Sequence, residues 1–336
     1  MIFYIVHHVY MSNKLIIIIG FPASGKSTYA LNLHNKTLKS VIISRDDKGG
    51  NTIDLLPYVK EELTKGKTVI LDNTNLTKKV RKPFIELGKL NGVQVHAIHI
   101  RNMIEDSQVK ALHRMFEMYG KIYLTGKPCK NDVAHTDAGV FPPAVLFSAR
   151  KHFEEPNESE GFDKITIIDA IETKWDGRRY RNKAIFFDID GTLRKTEHLP
   201  LKYPVETSQV ELLYSDEIMK KKLETYIKEG YKLVGISNQS GIAKKTISEN
   251  QVVACMEETR KLLGLTEKDM PIMWCPHSPA PIVCYCRKPQ VGMIMHYVET
   301  LKLNPKKCIV VGDSKVDETS ATRMQMKFIH ANQFWV

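Results

Sequence analysis

No stretch of the 336-residue sequence is apolar for long enough to cross a bilayer, which takes ~20 residues. The opening MIFYIVHHVY is apolar but short. It lacks a basic leading region and a small-residue cleavage site, so it predicts no signal peptide. Met11 stands just before the first β-branched run, which makes residues 1–12 an expected N-terminal appendage without a role. A protein neither secreted nor held in a membrane is expected, working in the cytoplasm or the nucleus, although no nuclear address is visible. Internal repeats and low-complexity segments are missing too, which sets repeat architectures aside. Cysteine is too scarce and too unevenly placed for a disulfide framework: four of the six crowd between Cys275 and Cys286, a spacing that points to a metal. Nor is there a basic tail. The net charge of +11 is spread as about +6 up to residue 180 and about +5 beyond it. Such a surplus suits a polyanionic partner, and it equally suits a Lys-rich solvated surface.

What is present builds a core. Hydrophobic residues at 43% and charged residues at 26% are ordinary for a folded soluble chain, and the length suggests two domains. From Lys14 onward, β-branched runs alternate with helical patterns. Strands are expected at 15–20, 40–44, 68–72 and 93–100, with helices at 27–35, 54–65, 77–91 and 106–118. The charged, Gly-containing stretch KWDGRRYRNK breaks the series, and a second one starts with AIFFDIDG. Its other strands are expected at 233–236 and 309–311, its helices at 216–229 and 250–263. Strand–helix alternation of this kind implies α/β architecture: two doubly wound, mainly parallel-sheet domains covered on both faces. The expected boundaries are 13–173 for the first domain, 174–182 for a linker and 183–336 for the second.

Gly20-Phe-Pro-Ala-Ser24-Gly25-Lys26-Ser27 fits GxxxxGK[ST] between a strand and a helix, the context a P-loop needs. Gly20, Ser24 and Gly25 let backbone N–H groups curl around a phosphate at a helix N-terminus, with Thr28 next in line. Lys26 is expected to reach the β- and γ-phosphates of ATP and Ser27 to hold Mg2+. Three features turn nucleotide binding toward phosphoryl transfer. Asp46 follows the second strand and can accept the proton of an attacking hydroxyl. Asp72 and Asn75 end the third strand at the same edge. Arg114 lies in a basic helix suited to neutralise transition-state charge. Singly, each is as readily a helix cap or a surface residue; together they point to a kinase.

GFPASGKST, SRD, DNTN, QVKALHRMFEM and HFEEPNESEGF together resemble the kinase domain of polynucleotide 5′-kinase/3′-phosphatases, over roughly residues 14–170. The resemblance implies that Asp46 is the general base for a 5′-hydroxyl, that Arg114 is a lid arginine, and that Asp72 and Asn75 line the site. Ser44 stands where Asn is usual, and Gly49 where phage-type relatives carry Arg.

In the second half, Asp188-Ile-Asp190-Gly-Thr192 follows the strand AIFF. Two carboxylates one residue apart point the same way from an extended segment. One can attack phosphorus and form an acyl phosphate, while the other protonates the leaving oxygen and then activates water. Ser237-Asn238, Arg287-Lys288-Pro289 and Gly312-Asp313-Ser314 follow in order. They offer a hydroxyl and an amide for the phosphoryl oxygens, a charge-balancing lysine and a further Mg2+ ligand. This ordered set resembles the haloacid-dehalogenase (HAD) phosphatase superfamily, over roughly 183–330. It implies a Rossmann-like phosphatase domain with Asp188 as nucleophile and Asp190 as acid/base. Ser237, Asn238 and Lys288 would bind phosphate, with Mg2+ framed by Asp188, Asp190 and Asp313 and Asp317 outside them.

Cys275, His277, Cys284 and Cys286 immediately precede the RKP segment, and a Cys3His set suits structural Zn2+. The loop is similar to that of zinc-containing HAD phosphatases acting on histidinol phosphate or heptose bisphosphate, whereas RKPQVGM is equally similar to polynucleotide 3′-phosphatases. His7, His8 and the methionines at 115, 118, 324 and 326 are expected to pack rather than ligate.

The sequence thus predicts an end-healing enzyme that uses ATP, Mg2+ and structural Zn2+. It would phosphorylate 5′-hydroxyl ends and remove 3′-phosphates from DNA or RNA, with a ligase acting downstream. The rival is a small-molecule kinase fused to a histidinol-phosphate or heptose-bisphosphate type phosphatase. A binding module with inert motifs is countered by intact Lys26, Asp46, Asp188 and Asp190.

Overall fold

The computed structural model describes residues 13–169, 173 and 175–336. The expected appendage at 1–12, and Lys174 of the expected linker, lie outside the described residues. The chain forms two compact units. The described residues up to Ser107 and those of 145–169 make the first; Gln108–Ala144 and the described residues from Thr173 to Val336 make the second.

In chain order the first series is β1 (Lys14–Ile19), α1 (Lys26–Lys36), β2 (Ser40–Ser44), α2 (Arg45–Lys48), α3 (Leu56–Thr64), β3 (Thr68–Asp72), α4 (Lys78–Leu90) and β4 (Gln94–Arg101). Then follow α5 (Ile104–Tyr119), α6 (Ala144–His152) and β5 (Lys164–Asp169). The five strands are parallel in the order β2-β3-β1-β4-β5. β1 reads as a continuous apolar run because both of its faces are covered. Leu15, Ile17 and Ile19 face a core with Val59 and Leu63 of α3 and Phe84 of α4, while Ile16 and Ile18 face Ala30 of α1. The register sets Ile18 opposite Asp72 and Asp72 opposite Ser44, so three strands end level at one carboxyl edge.

The second unit contains β6 (Lys183–Phe187), α7 (Asp216–Lys228), β7 (Tyr231–Asn238), α8 (Glu249–Leu262) and β8 (Ile272–Cys275). It continues through α9 (Gly292–Thr300), β9 (Ile309–Gly312), α10 (Lys315–Arg323), β10 (Lys327–His330) and α11 (Ala331–Phe334). Its sheet is also parallel, in the order β10-β9-β6-β7-β8. Successive β6 residues again serve opposite faces: Phe186 packs with Met293 and Val298 of α9, and Phe187 with Met219 of α7 and Met256 of α8. Both units are therefore parallel α/β domains, as the alternation of strands and helices implies.

Residues 108–144, which the sequence groups with the first domain, pack within the second unit. Val109, Leu112 and Met115 of α5 share a core with Phe186 and Met295. Buried polar contacts fasten the same helix: Gln108 Nε2 donates to Gln290 Oε1 at 2.7 Å, and His113 Nδ1 pairs with the fully buried Glu299 at 2.6 Å. Met324 and Met326 lie in this core as well, while Met118 is exposed.

Candidate active sites

The first site grows from the carboxyl ends of β1, β2 and β3. Gly25 opens α1 at φ +98°, a left-handed conformation that favours glycine. Lys26 is buried, and its Nζ donates to the Phe21 carbonyl at 2.7 Å across the loop. Ser24 is buried as well, whereas Ser27 and Thr28 are exposed. The Gly20 amide donates to the Thr74 carbonyl at 3.1 Å, which joins the P-loop to the segment after β3. Ser27 hydrogen-bonds the Asp72 carboxylate. Burial pushes Asp72 above the usual carboxylate value; the Ser27 bond and the Lys26 charge oppose that push, and the neighbouring Asp46 and Asp47 add to it. The structure thus brings Lys26, Ser27, Asp46 and Asp72 together. Asp46 is exposed in α2, which Ser44 caps by accepting from the Asp47 amide at 3.1 Å. A serine does here the capping that an asparagine does equally well.

Asn75 has a different place. It is buried at φ +47°, and its Nδ2 donates to the Ile18 carbonyl of β1 at 2.7 Å. Beneath it lies an ion pair that sequence reasoning missed. The fully buried Arg81 forks onto Glu160 at 2.7 and 2.8 Å and donates to the carbonyls of Asn75 and Glu154, both at 3.0 Å. The HFEEPNESEGF segment therefore serves as a brace for the loop after β3. Arg114 is exposed on the part of α5 that belongs to the second unit, where its Nη2 donates to the Gly139 carbonyl at 2.6 Å.

The second site sits at the carboxyl ends of β6, β7 and β9. Lys288 is buried, and its Nζ donates to Asp188, to Asp317 Oδ1 at 2.7 Å and to the Ile236 carbonyl at 3.0 Å. Asn238 clamps the Lys288 backbone from both ends of its amide, accepting from the Lys288 N–H at 3.0 Å and donating to its carbonyl at 3.1 Å. Burial lowers the Lys288 ammonium, but the charges of Asp188 and Asp317 more than offset this and leave it raised. Asp188 is pushed up to about 8, chiefly by burial, with Asp317 and Asp190 adding to the effect and Lys288 opposing it.

Oxygens of Asp188, Asp313 and Asp317 lie within 4.8 Å of one another. Gly191, at φ +85°, permits this approach, since a Cβ there would overlap the Asp313 carboxylate. Three carboxylates facing one ammonium leave an excess of negative charge, and hard oxygen donors in that setting fit Mg2+. The Asp190 side chain lies outside this triad. Its Oδ1 accepts from Arg194 Nε at 2.8 Å and its Oδ2 from Gln239 Nε2 at 2.7 Å. Gln239 also reaches Ser237 Oγ at 2.8 Å, and the buried Arg194 reaches the Cys255 carbonyl at 3.1 Å.

Cys275, His277, Cys284 and Cys286 converge beside Lys288. Cys275 Sγ is 3.7 Å from Cys284 Sγ and 3.4 Å from His277 Nδ1, and Cys286 Sγ is 3.3 Å from the same nitrogen. A tetrahedral ion bonded at ~2.3 Å to sulfur and ~2.0 Å to nitrogen spaces its ligands by roughly 3.5–3.8 Å, so the donor set and its spacing fit a metal such as Zn2+. Between the thiols, Tyr285 takes segment 108–144 in hand. Its amide donates to Leu124 at 2.6 Å and its hydroxyl to the Phe141 carbonyl at 2.8 Å.

A family model described as polynucleotide kinase 3 phosphatase matches residues 183–335, and one described as an AAA domain matches 15–103. The second domain belongs to the polynucleotide kinase 3 phosphatase family. The phosphatase domain is also 36% identical over 146 residues to D-glycero-beta-D-manno-heptose-1,7-bisphosphate 7-phosphatase of Haemophilus influenzae, a match that covers 42% of this chain and 75% of that protein. A probable D-glycero-D-manno-heptose-1,7-bisphosphate 7-phosphatase of Thermoplasma volcanium is 31% identical over 150 residues, covering 44% of this chain and 96% of that one. Among solved structures, a Pnkp1/Rnl/Hen1 complex aligns over 95% of this chain and 96% of its own at 16% identity and a TM-score of 0.32.

The chain thus joins a P-loop kinase domain to a HAD-type phosphatase domain. In the phosphatase domain, two residues beyond the motifs matter: Arg194 and Gln239 hold both oxygens of Asp190. Their signal in the sequence is faint, since an arginine and a glutamine near a motif look like surface residues until the fold buries them. Trp335 is a third, its Nε1 donating to the Thr192 carbonyl at 2.9 Å and its ring stacking on Phe187.

Proposed function

We propose that the protein heals nucleic-acid ends, adding the ATP γ-phosphate to a 5′-hydroxyl and hydrolysing a 3′-phosphate, so that a ligase can join the products. The carrying observation is that one chain pairs a P-loop kinase domain with a phosphatase domain of the polynucleotide kinase 3 phosphatase family. In the kinase domain Lys26 draws the β- and γ-phosphates into the loop, and Asp46 takes the proton of the attacking hydroxyl. Ser27 and Asp72, already hydrogen-bonded, would hold Mg2+.

In the phosphatase domain Asp188 attacks phosphorus and becomes an acyl phosphate, while Lys288 offsets the phosphoryl charge. As the P–O ester bond breaks, Asp190 gives its proton to the departing oxygen, then takes one from the water that cleaves the acyl phosphate. Asp188, Asp313 and Asp317 would hold Mg2+, which supplies charge neutralisation at the phosphoryl oxygens. We assign Zn2+ to the Cys3His cluster, as a closed structural site that steadies the loop bearing Lys288.

A second reading, hydrolysis of a sugar bisphosphate, is favoured by the identity to the heptose-bisphosphate phosphatase of H. influenzae. The two are separated by offering 5′-hydroxyl and 3′-phosphate oligonucleotides beside heptose bisphosphate and histidinol phosphate. Turnover of both oligonucleotides is expected, with Asp188→Asn losing only the phosphatase and Lys26→Ala only the kinase. Failure to act on either oligonucleotide would sink the end-healing reading.

A further inference from the structure

Beside Lys288 a cleft of about 260 Å3 opens, with Asn238 and Lys288 forming part of its lining. It therefore adjoins the lysine of the phosphatase centre, while Asp188, Asp190, Asp313 and Asp317 stand outside its lining. Its walls include Pro279, Ile282, Val283 and Val316. Ile282 is 39% exposed and Val283 44%, so a loop otherwise tied down by thiols holds two large apolar side chains open to solvent. Nothing in the packing of the second unit requires this, since neither residue belongs to its two cores.

Besides Ser278, the polar side chains of the cleft are committed in part elsewhere, Gln290 accepting from Gln108 Nε2 at 2.7 Å. The Asn238 amide spends both its oxygen and its nitrogen on the Lys288 backbone. Lys288 is tied to Asp188 and Asp317. Arg287, half-buried in the lining, donates from one guanidinium nitrogen to the His277 carbonyl at 3.0 Å. A sugar bisphosphate presents hydroxyls on every side, and those turned to Ile282, Val283 and Val316 would give up water with no hydrogen bond in return. A nucleobase presents two apolar faces and loses nothing by lying against aliphatic walls.

We infer that this cleft is the subsite for the base of the terminal nucleotide bearing the 3′-phosphate, with Arg287 offered to the next phosphodiester. This rests on the 3′-phosphatase reading and names the part of the substrate that decides it. The phosphatase centre selects a nucleoside 3′-phosphate end through the apolar faces of its base, and the loop between His277 and Cys284 supplies the selectivity.

The test measures kcat/KM for a 3′-phosphorylated oligonucleotide, for the same oligonucleotide with an abasic terminal residue, and for heptose bisphosphate. The full-length protein is compared with the variant I282N/V283N, whose two sites are exposed enough that folding is not at stake. The expected result is a preference of about tenfold for the base-bearing end, in line with the worth of stacking one base, and its collapse to about one in the variant. Equal turnover of base-bearing and abasic ends by the unaltered protein overturns the inference and leaves the 3′-phosphatase reading standing. An undiminished preference in the variant also overturns it. Hydrolysis of heptose bisphosphate alone would remove both.

Discussion

Asp190, the proposed acid/base, shows how much of such a group's behaviour is decided by residues that never meet the substrate. Each of its oxygens is taken, one by the Arg194 guanidinium and one by the Gln239 amide. A carboxyl that must hand over a proton and later retrieve one benefits from a fixed direction of approach, because a misplaced acid loses much of its advantage. Gln239→Leu frees one oxygen without leaving a buried charge unpaired. It should lower kcat by about 10- to 100-fold on alkyl phosphates, the range typical of lost supporting contacts. On p-nitrophenyl phosphate, whose leaving group needs no proton, the loss should be much smaller. Equal losses on both esters would show that Gln239 merely supports the fold. The paired aspartates and Lys288 stood out in the sequence as ordered motifs, and the fold brings Asp188 into contact with Lys288 across 100 residues. Arg194 and Gln239 were not, because their meaning arises only when α8 and β7 close around the turn after β6. The same holds for Arg81: nothing local in α4 announces that a lysine-rich helix turns one arginine inward to meet Glu160, 79 residues on.

Among the elements, the strands in the middle of each sheet were the plainest. β1, β3 and β6 carry continuous apolar runs because both faces are covered, and the expected bounds fall within two residues of the observed ones. Of the edge strands, β2 was expected at its observed bounds, while the other three announced themselves less. β5 is half-open to solvent, and β8 and β10 are four residues long, too short for a period to form. Which core a helix joins is not a local property either. The apolar stripe of α5 would serve any core, and its place in the second unit follows from partners such as Gln290 and Glu299, more than 180 residues away. The loop between β8 and α9 yields the prediction at this scale. If the Cys3His set holds zinc, the purified chain should carry about one equivalent, and Cys275→Ser should lose most of it. Because Tyr285 of that loop grips Leu124 and Phe141, proteolysis between 120 and 143 should then quicken. Unchanged zinc content in the variant would count against the assignment.

On the scale of the whole chain, charge and topology act together. Both parallel sheets present their functional side chains at the carboxyl ends of central strands, where helices leave in opposite directions and open a crevice. The surplus of +11 is shared between the two halves of the sequence, about +6 up to residue 180 and about +5 beyond it. If the substrate is a polynucleotide, its phosphates release counterions on binding, and kcat/KM for an oligonucleotide 3′-phosphate should fall steeply with salt. Three phosphate contacts on a single strand imply a loss of roughly twentyfold between about 50 and about 200 mM. A monoester such as p-nitrophenyl phosphate should hardly respond, and parallel declines for the two would speak against strand contacts. No helix among the described residues is long and apolar enough to cross a membrane. The turn after β6 carries a last consequence, for how such a domain can change over generations. At Gly191 every codon change that alters the amino acid adds a side chain where the Asp313 carboxylate already lies, at a backbone angle that side chains avoid. Drift is closed there. At Ile282 and Val283, half-open on a loop outside both cores, it is cheap. Substitution at the turn therefore disturbs the carboxylate cluster, whereas substitution on this loop leaves both cores untouched.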